Sequence, residues 1–298
     1  MRPTDVKFTK MSAGGNDFVV IDNVSMSGSE PAEVDAEFVR QVCARALSVG
    51  ADGVIVIEPA EQGSRSHVRM IYYNSDGGRA ALCGNGVRCV ARLAALRRLA
   101  PADGMLIDTD AGTLEAAVVG DHPWFRFPLG SPDIRPMALV LEGTLDEVSR
   151  TIEATRVMVG VPHLVVEVRN AHGMSAPELM RLAPRLRRHP DLGPEGANVD
   201  FITVRDRGHL DIRCYERGVE AETLSSGSGC IAAALAARHL GRVDSPVACL
   251  TRVGITATVT IEEAVADAAA GTSAILSGDA RIIYNGALNA EALSGFTV

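Results

Sequence analysis

Lysine is almost missing from this chain. Two occur, Lys7 and Lys10, among 29 basic residues; the others are arginine. A pyridoxal phosphate enzyme holds its cofactor as a lysine Schiff base, and a P-loop needs Gly-Lys followed by Ser or Thr. The chain has no Gly-Lys pair, and both lysines sit in the first strand-like run. Neither class fits. The six cysteines form no Cys-x-x-Cys, and the seven histidines form no His-Glu-x-x-His. No metal site is expected either. No apolar run reaches the roughly 18 residues of a membrane span. The N-terminal stretch lacks the apolar core of a signal peptide, so a cytoplasmic protein with reduced thiols is expected. Acidic residues outnumber basic ones, 37 to 29, for a net charge of −8. That charge opposes a nucleic-acid backbone as partner.

What is present is a globular composition: 298 residues, 47% hydrophobic and 22% charged. The length sets two domains as the expectation. Short strand-like runs outnumber helices, among them Val6–Lys10, Phe18–Ile21, Val54–Ile57, Val68–Tyr73, Val199–Val204 and Leu210–Tyr215. One helix is predicted after an Asp35 N-cap, with Phe38, Val42 and Leu47 on its buried stripe. Others are predicted over Val87–Leu99, Ala176–Arg188 and Cys230–Leu240. The pattern reads as α+β with antiparallel sheets. Pro128, Gly130, Pro132 and Pro136 mark a boundary. It gives domains at 1–130, completed by a C-terminal strand at 285–298, and at 131–284. Cys43, Cys214 and Cys249 lie in apolar runs and read as core.

Two loops resemble each other. One runs from Asn74 through Cys83 to Gly86, the other from Arg217 through Ser226 to Gly229. Each begins nine residues before its thiol or hydroxyl, ends in Gly-x-Gly and enters an alanine-rich helix. A repeat at half the chain length is the mark of a duplicated domain. Two copies facing each other would set Cys83 and Ser226 on opposite sides of one cleft. A glycine-rich loop at a helix N-terminus turns N–H groups toward an anion such as a carboxylate. A thiol there has its pKa lowered and becomes a usable base. One such group on each face of an amino acid is what inversion of its α-carbon requires.

Together the motifs resemble the diaminopimelate epimerase family. They are Lys10-Met-Ser-Ala-Gly-Gly-Asn-Asp-Phe18, Asn74-Ser-Asp-Gly77, Cys83-Gly-Asn-Gly-Val-Arg-Cys89, Gly160-Val-Pro-His163, Ala197-Asn198, Tyr215-Glu-Arg-Gly218, Glu222-Thr223 and Gly227-Ser-Gly229. They follow the family's order over nearly the whole chain; the last ten or so residues read as an added tail. The resemblance implies two pseudo-symmetric domains, each a strand-rich barrel around a central helix. It also implies a homodimer and cofactor-independent conversion of L,L-diaminopimelate to the meso form, for lysine and cell-wall synthesis. By this resemblance Cys83 is one catalytic base. Gly84, Asn85, Gly227 and Ser228 cradle the α-carboxylate; Asn16, Asn74 and Asn198 contact substrate; Arg217 reads the distal carboxylate. Glu216, also at the substrate, and His163 tune the two bases.

The resemblance breaks at Ser226, where the family has its second catalytic cysteine. A hydroxyl is a far weaker acid than a thiol and needs a neighbour such as Glu216 or His163 to activate it. Cys230, one turn further on, is expected to point into the helix's own packing. Four readings stand open: an epimerase working through that neighbour; a racemase or dehydratase of another amino acid with Cys83 as its single strong base; a catalytically silent amino-acid-binding homologue; a Cys-to-Ser exchange that traps a complex. The motif also opens with Ser12-Ala13-Gly14 where His-Gly-Leu is more usual. Gly53 and Val161 stand where some members carry glutamine and asparagine, which bears on the exact substrate.

Overall fold

The computed structural model describes residues 6–25, 32–143, 149–263 and 271–293. In chain order the first half holds β1 (Val6–Ala13), β2 (Asn16–Asp22), α1 (Ala36–Cys43), β3 (Gly53–Pro59), β4 (Val68–Asn74), β5 (Arg79–Ala80), α2 (Gly84–Leu96), β6 (Met105–Thr109), β7 (Gly112–Val119) and β8 (His122–Gly130). Then come β9 (Ile134–Leu141), β10 (Arg150–Val159), β11 (Val161–Glu167), α3 (Ala176–Arg187), β12 (Asn198–Asp206), β13 (His209–Glu216), β14 (Ala221–Thr223), α4 (Gly227–His239), β15 (Val247–Leu250), β16 (Thr256–Glu262), β17 (Thr272–Ser277) and β18 (Arg281–Leu288). Contacts divide the chain into two units, Met1–Arg126 with Ser277–Val298, and Phe127–Leu276.

The two units repeat one pairing order. In the first, β1 pairs antiparallel with β2, β2 parallel with β3, β3 antiparallel with β4, β4 parallel with β6 and β6 antiparallel with β7. In the second, β10, β11, β12, β13, β15 and β16 follow the same sequence of antiparallel and parallel pairings. The sheets are therefore mixed rather than purely antiparallel, because each connection that carries a helix, α1 and α2 in the first unit and α3 and α4 in the second, joins two parallel neighbours. Each unit wraps strands around one helix of 13 residues: α2 packs on β1, β2, β4 and β7, and α4 on β9 to β13, β15 and β16. Every residue of α4 from Gly229 to Ala237 is buried. A helix apolar on all sides belongs inside a domain, and its alanines let strands approach from each direction.

The outer helices cover the other sheet faces. Asp35 caps α1 by accepting a bond from the Phe38 amide at 2.7 Å, and Phe38, Val39, Val42 and Cys43 face the core. The helix stops at Cys43, so Leu47 falls beyond it and is exposed, not part of the buried stripe. In the second unit Leu179, Ala183 and Leu186 of α3 pack with Leu164, Val166 and Phe201. No helix among the described residues is long and apolar enough to cross a membrane.

Other departures have simple causes. The strand expected at 285–298 is β18, Arg281–Leu288, paired antiparallel with β1. It is followed by a turn whose Leu293 packs into the α1 core, so the described end of the chain is core rather than tail; residues 294–298 lie outside the described residues. The proline-marked boundary hides β9, in which Pro136 is exposed while Leu139 and Leu141 alternate inward. Helices α2 and α4 begin three residues earlier than expected, directly after Cys83 and Ser226.

Candidate functional site

In the first unit Cys83 is the N-cap of α2, in extended conformation, and its side chain makes no cap bond. The loop before it turns at Gly77, whose φ of 87° suits glycine and whose Cβ would lie 2.5 Å from the Ala36 carbonyl oxygen. Gly84 and Asn85 form the first turn, where amides lack intrahelical partners. The Asn85 side chain donates to Asn16 Oδ1 at 2.7 Å and accepts from the buried Arg88. Asn16 donates in turn to Asp52 at 3.0 Å. Arg45 bridges Asp52 and Asp17, and Lys10 pairs with Asp17 at 2.5 Å. Burial opposes charge on Asp17, yet Arg45 and Lys10 hold its pKa below the ordinary carboxylate range. Asn16, Cys83, Gly84 and Asn85 are thus gathered at one helix end. Asn74 is exposed at the end of β4, paired with Gly53, and stands outside this network.

Cys83 is the one cysteine that is not buried. Burial pushes the Cys43 thiol up to about 12 and also raises Cys89 and Cys214. In Cys249 a bond with Cys230 and burial do the same. Cys230 is enclosed at 0% exposure and lies in the packing of α4.

In the second unit Ser226 caps α4, and its hydroxyl accepts from the Gly229 amide at 3.2 Å. Glu216, at the end of β13, accepts from Thr223 at 3.1 Å and from the Ser226 hydroxyl. Burial pushes the Glu216 carboxyl above its ordinary range, against the pull of those two bonds. His163 and Asp200 form a fully enclosed pair, Nδ1 to Oδ2 at 2.7 Å. His163 Nε2 and Asp200 Oδ1 have no partner among the described residues. The β11–β12 register sets His163 beside Asn198, whose side chain accepts from the Arg217 amide at 2.8 Å. The Arg217 guanidinium pairs with Glu195 at 2.9 Å. So Asn198, Glu216, Arg217 and Ser226 share one stretch of bonded structure, with Gly227 and Ser228 in the first turn of α4.

Three neighbours were not singled out from sequence. Asp200 is an acid within an apolar strand, a visible signal. Glu195 adjoins Ala197-Asn198, and Tyr72 needs the fold to be noticed.

The sequence profile of the diaminopimelate epimerase family matches residues 8–134 and 155–274. A diaminopimelate epimerase of Archaeoglobus fulgidus is 35% identical over 285 residues, 93% of this chain and 97% of that one. One of Aquifex aeolicus is 32% identical, covering 97% and 99%. Among solved structures, a phenazine biosynthesis protein of Bacillus anthracis superposes with a TM-score of 0.68 at 14% identity, covering 96% and 99%. A hydroxyproline epimerase of Agrobacterium vitis superposes at 0.66 and 17%, covering 97% and 94%. At such identities these two likenesses show the fold alone.

Proposed function

The chain belongs to the diaminopimelate epimerase family, and on that premise we propose that it interconverts L,L- and meso-diaminopimelate without a cofactor, in lysine and cell-wall precursor synthesis. Cys83 and Ser226 are the two proton-transfer groups. The observation that carries the reading is that both stand at the N-cap of their unit's central helix with the same extended backbone. The substrate α-carboxylate takes the first-turn amides of Gly84, Asn85, Gly227 and Ser228. Their partial positive charge stabilises the carbanion formed beside that carboxylate.

In one direction the Cys83 thiolate removes the α-proton. Ser226 then donates its hydroxyl proton to the opposite face of the carbanion, and the Glu216 carboxylic acid replaces that proton on the serine oxygen. In the reverse direction Glu216 takes the proton that leaves the Ser226 hydroxyl as the hydroxyl receives one from Cα. The burial-raised pKa of Glu216 suits this exchange. Asn16, Asn74 and Asn198 hold the polar groups of the substrate. Arg217 exchanges Glu195 for the distal carboxylate, and its planar fork suits that ligand. His163, oriented by Asp200, tunes the Ser226 side. A homodimer in the cytoplasm belongs to the same proposal.

Proton NMR of L,L-diaminopimelate with the enzyme in D2O tests it. Appearance of the meso isomer deuterated at Cα is the expected result. Exchange with retained configuration would favour the second reading, Cys83 as single strong base, which the engagement of the Ser226 hydroxyl as a helix cap supports. No exchange with any diaminopimelate isomer would reject the epimerase reading and leave a racemase or dehydratase of another amino acid.

A further inference from the structure

The structure assigns a positioning residue to the Cys83 sulfur: the hydroxyl of Tyr72 donates a hydrogen bond to it and stabilises the thiolate. This rests on the reading of Cys83 as a proton-transfer group. Tyr72 lies on the α2 face of β4, on the same side as Met70, whose methyl abuts Gly86 of that helix. Its ring packs edge-on against Phe18 at 6.0 Å between centroids, and the residue is 9% exposed. The room for it comes from the neighbouring strand. A Cβ on Gly53 would lie 2.7 Å from Tyr72 Cε2, 3.1 Å from its hydroxyl oxygen and 2.5 Å from the Tyr73 carbonyl oxygen. Any side chain at 53 would therefore collide with the phenol. Ile55, paired across the strands with Tyr72, and Cys83 both border the Gly86 Cβ position, Ile55 Cδ1 at 3.0 Å and Cys83 Cβ at 3.5 Å, so the phenol stands beneath the Cys83 end of α2.

The bond has a definite direction. Burial, the nearby Cys83 charge and the bond to Cys83 all push the Tyr72 phenol above its ordinary range, so it stays a donor. A donor to a thiolate favours the charged form. It also fixes where the sulfur points, a service that Ser226 obtains from the Gly229 amide and Glu216 instead.

The test is the rate of Cys83 alkylation by iodoacetamide across pH in the full chain, with the modified residue located by mass spectrometry. The other five cysteines are buried and do not compete. Tyr72→Phe is expected to raise the alkylation midpoint by about one pH unit and slow alkylation at neutral pH roughly tenfold. Tyr72→Leu should give the same shift. An unchanged midpoint in Tyr72→Phe overturns the assignment. So does a shift seen in Tyr72→Leu alone, which would make the ring a filler of space. The readout needs no substrate: a shifted midpoint in an enzyme that fails to exchange diaminopimelate sinks the functional reading only, while exchange with an unshifted midpoint sinks this one only.

Discussion

Cys83 and Ser226 share a backbone, φ −136° and ψ 112° at the one, −130° and 119° at the other. Their surroundings differ. Beneath the first turn of α2 a Cβ on Gly86 would meet the methyl ends of Met70 and Ile55 at 2.8 and 3.0 Å. Beneath α4 a Cβ on Gly229 would meet Asp200 Oδ1 at 2.6 Å and Cys214 Sγ at 3.0 Å. Register puts Ile55 opposite Tyr72 in one unit and Asp200 opposite Cys214 in the other. So the thiol stands on hydrocarbon with a phenol beside it. The hydroxyl stands beside a carboxyl, above a buried acid and imidazole. A thiol ionises near neutrality with modest help, whereas a hydroxyl needs a proton acceptor within reach. The second unit carries those extra titratable groups, and the first does without them.

The largest expected effect comes from removing the thiol. Cys83→Ala should lower α-proton exchange about 10³-fold or more, read by deuterium incorporation; undiminished exchange would place the strong base elsewhere. Next is packing under the helices. Gly229→Ala drives a methyl against an Asp200 already held by His163, and should cost about 2 kcal/mol in urea unfolding. Gly86→Ala meets flexible ends and gains helix propensity, so its net change should stay within about 1 kcal/mol of zero. Equal costs would remove the contrast between the two floors.

Ser226→Cys tests whether the hydroxyl limits the rate. Roughly tenfold faster exchange is expected, and no gain would mean that Glu216 has made serine sufficient. Ser226→Ala should cost about 1 kcal/mol of stability through the lost cap bond, a term absent from Cys83→Ala because Cys83 makes no such bond. The smallest effect is on pH dependence. Glu216 has a raised pKa in the folded protein, so its favourable contribution is full below the unfolded value of 4.5 and is lost as pH rises through the folded one. Glu216→Gln should therefore gain stability relative to the parent as pH rises from 4.5 through the folded value. A pH-independent difference would mean that Glu216 is not held in a raised state.

Much of this contrast was legible before the fold. The paired loops, their glycines and the serine at 226 are written in the sequence. Glycine reads as a breaker and sets the expected helix starts three residues late, yet at Gly84 and Gly227 it occupies a first turn whose amides have no helical partner and where its cost is small. Asp200 stood in plain view within Val199-Asp-Phe201. An acid within an apolar run marks an unusual position, yet only the fold makes it a partner of His163. The Gly53 and Tyr72 pairing could not be read at all, since it depends on which strands become neighbours. β9 is hidden in the sequence because a proline within a strand imitates a linker.

The exchange of sulfur for oxygen at one helix end also changes how oxidation acts on the protein. A serine hydroxyl forms no disulfide and climbs no oxidation ladder. Among the six cysteines peroxide therefore has one accessible thiol to attack, Cys83, while the other five are buried. Its first product is a sulfenic acid. Recovery of that sulfur falls to small thiols arriving from solution.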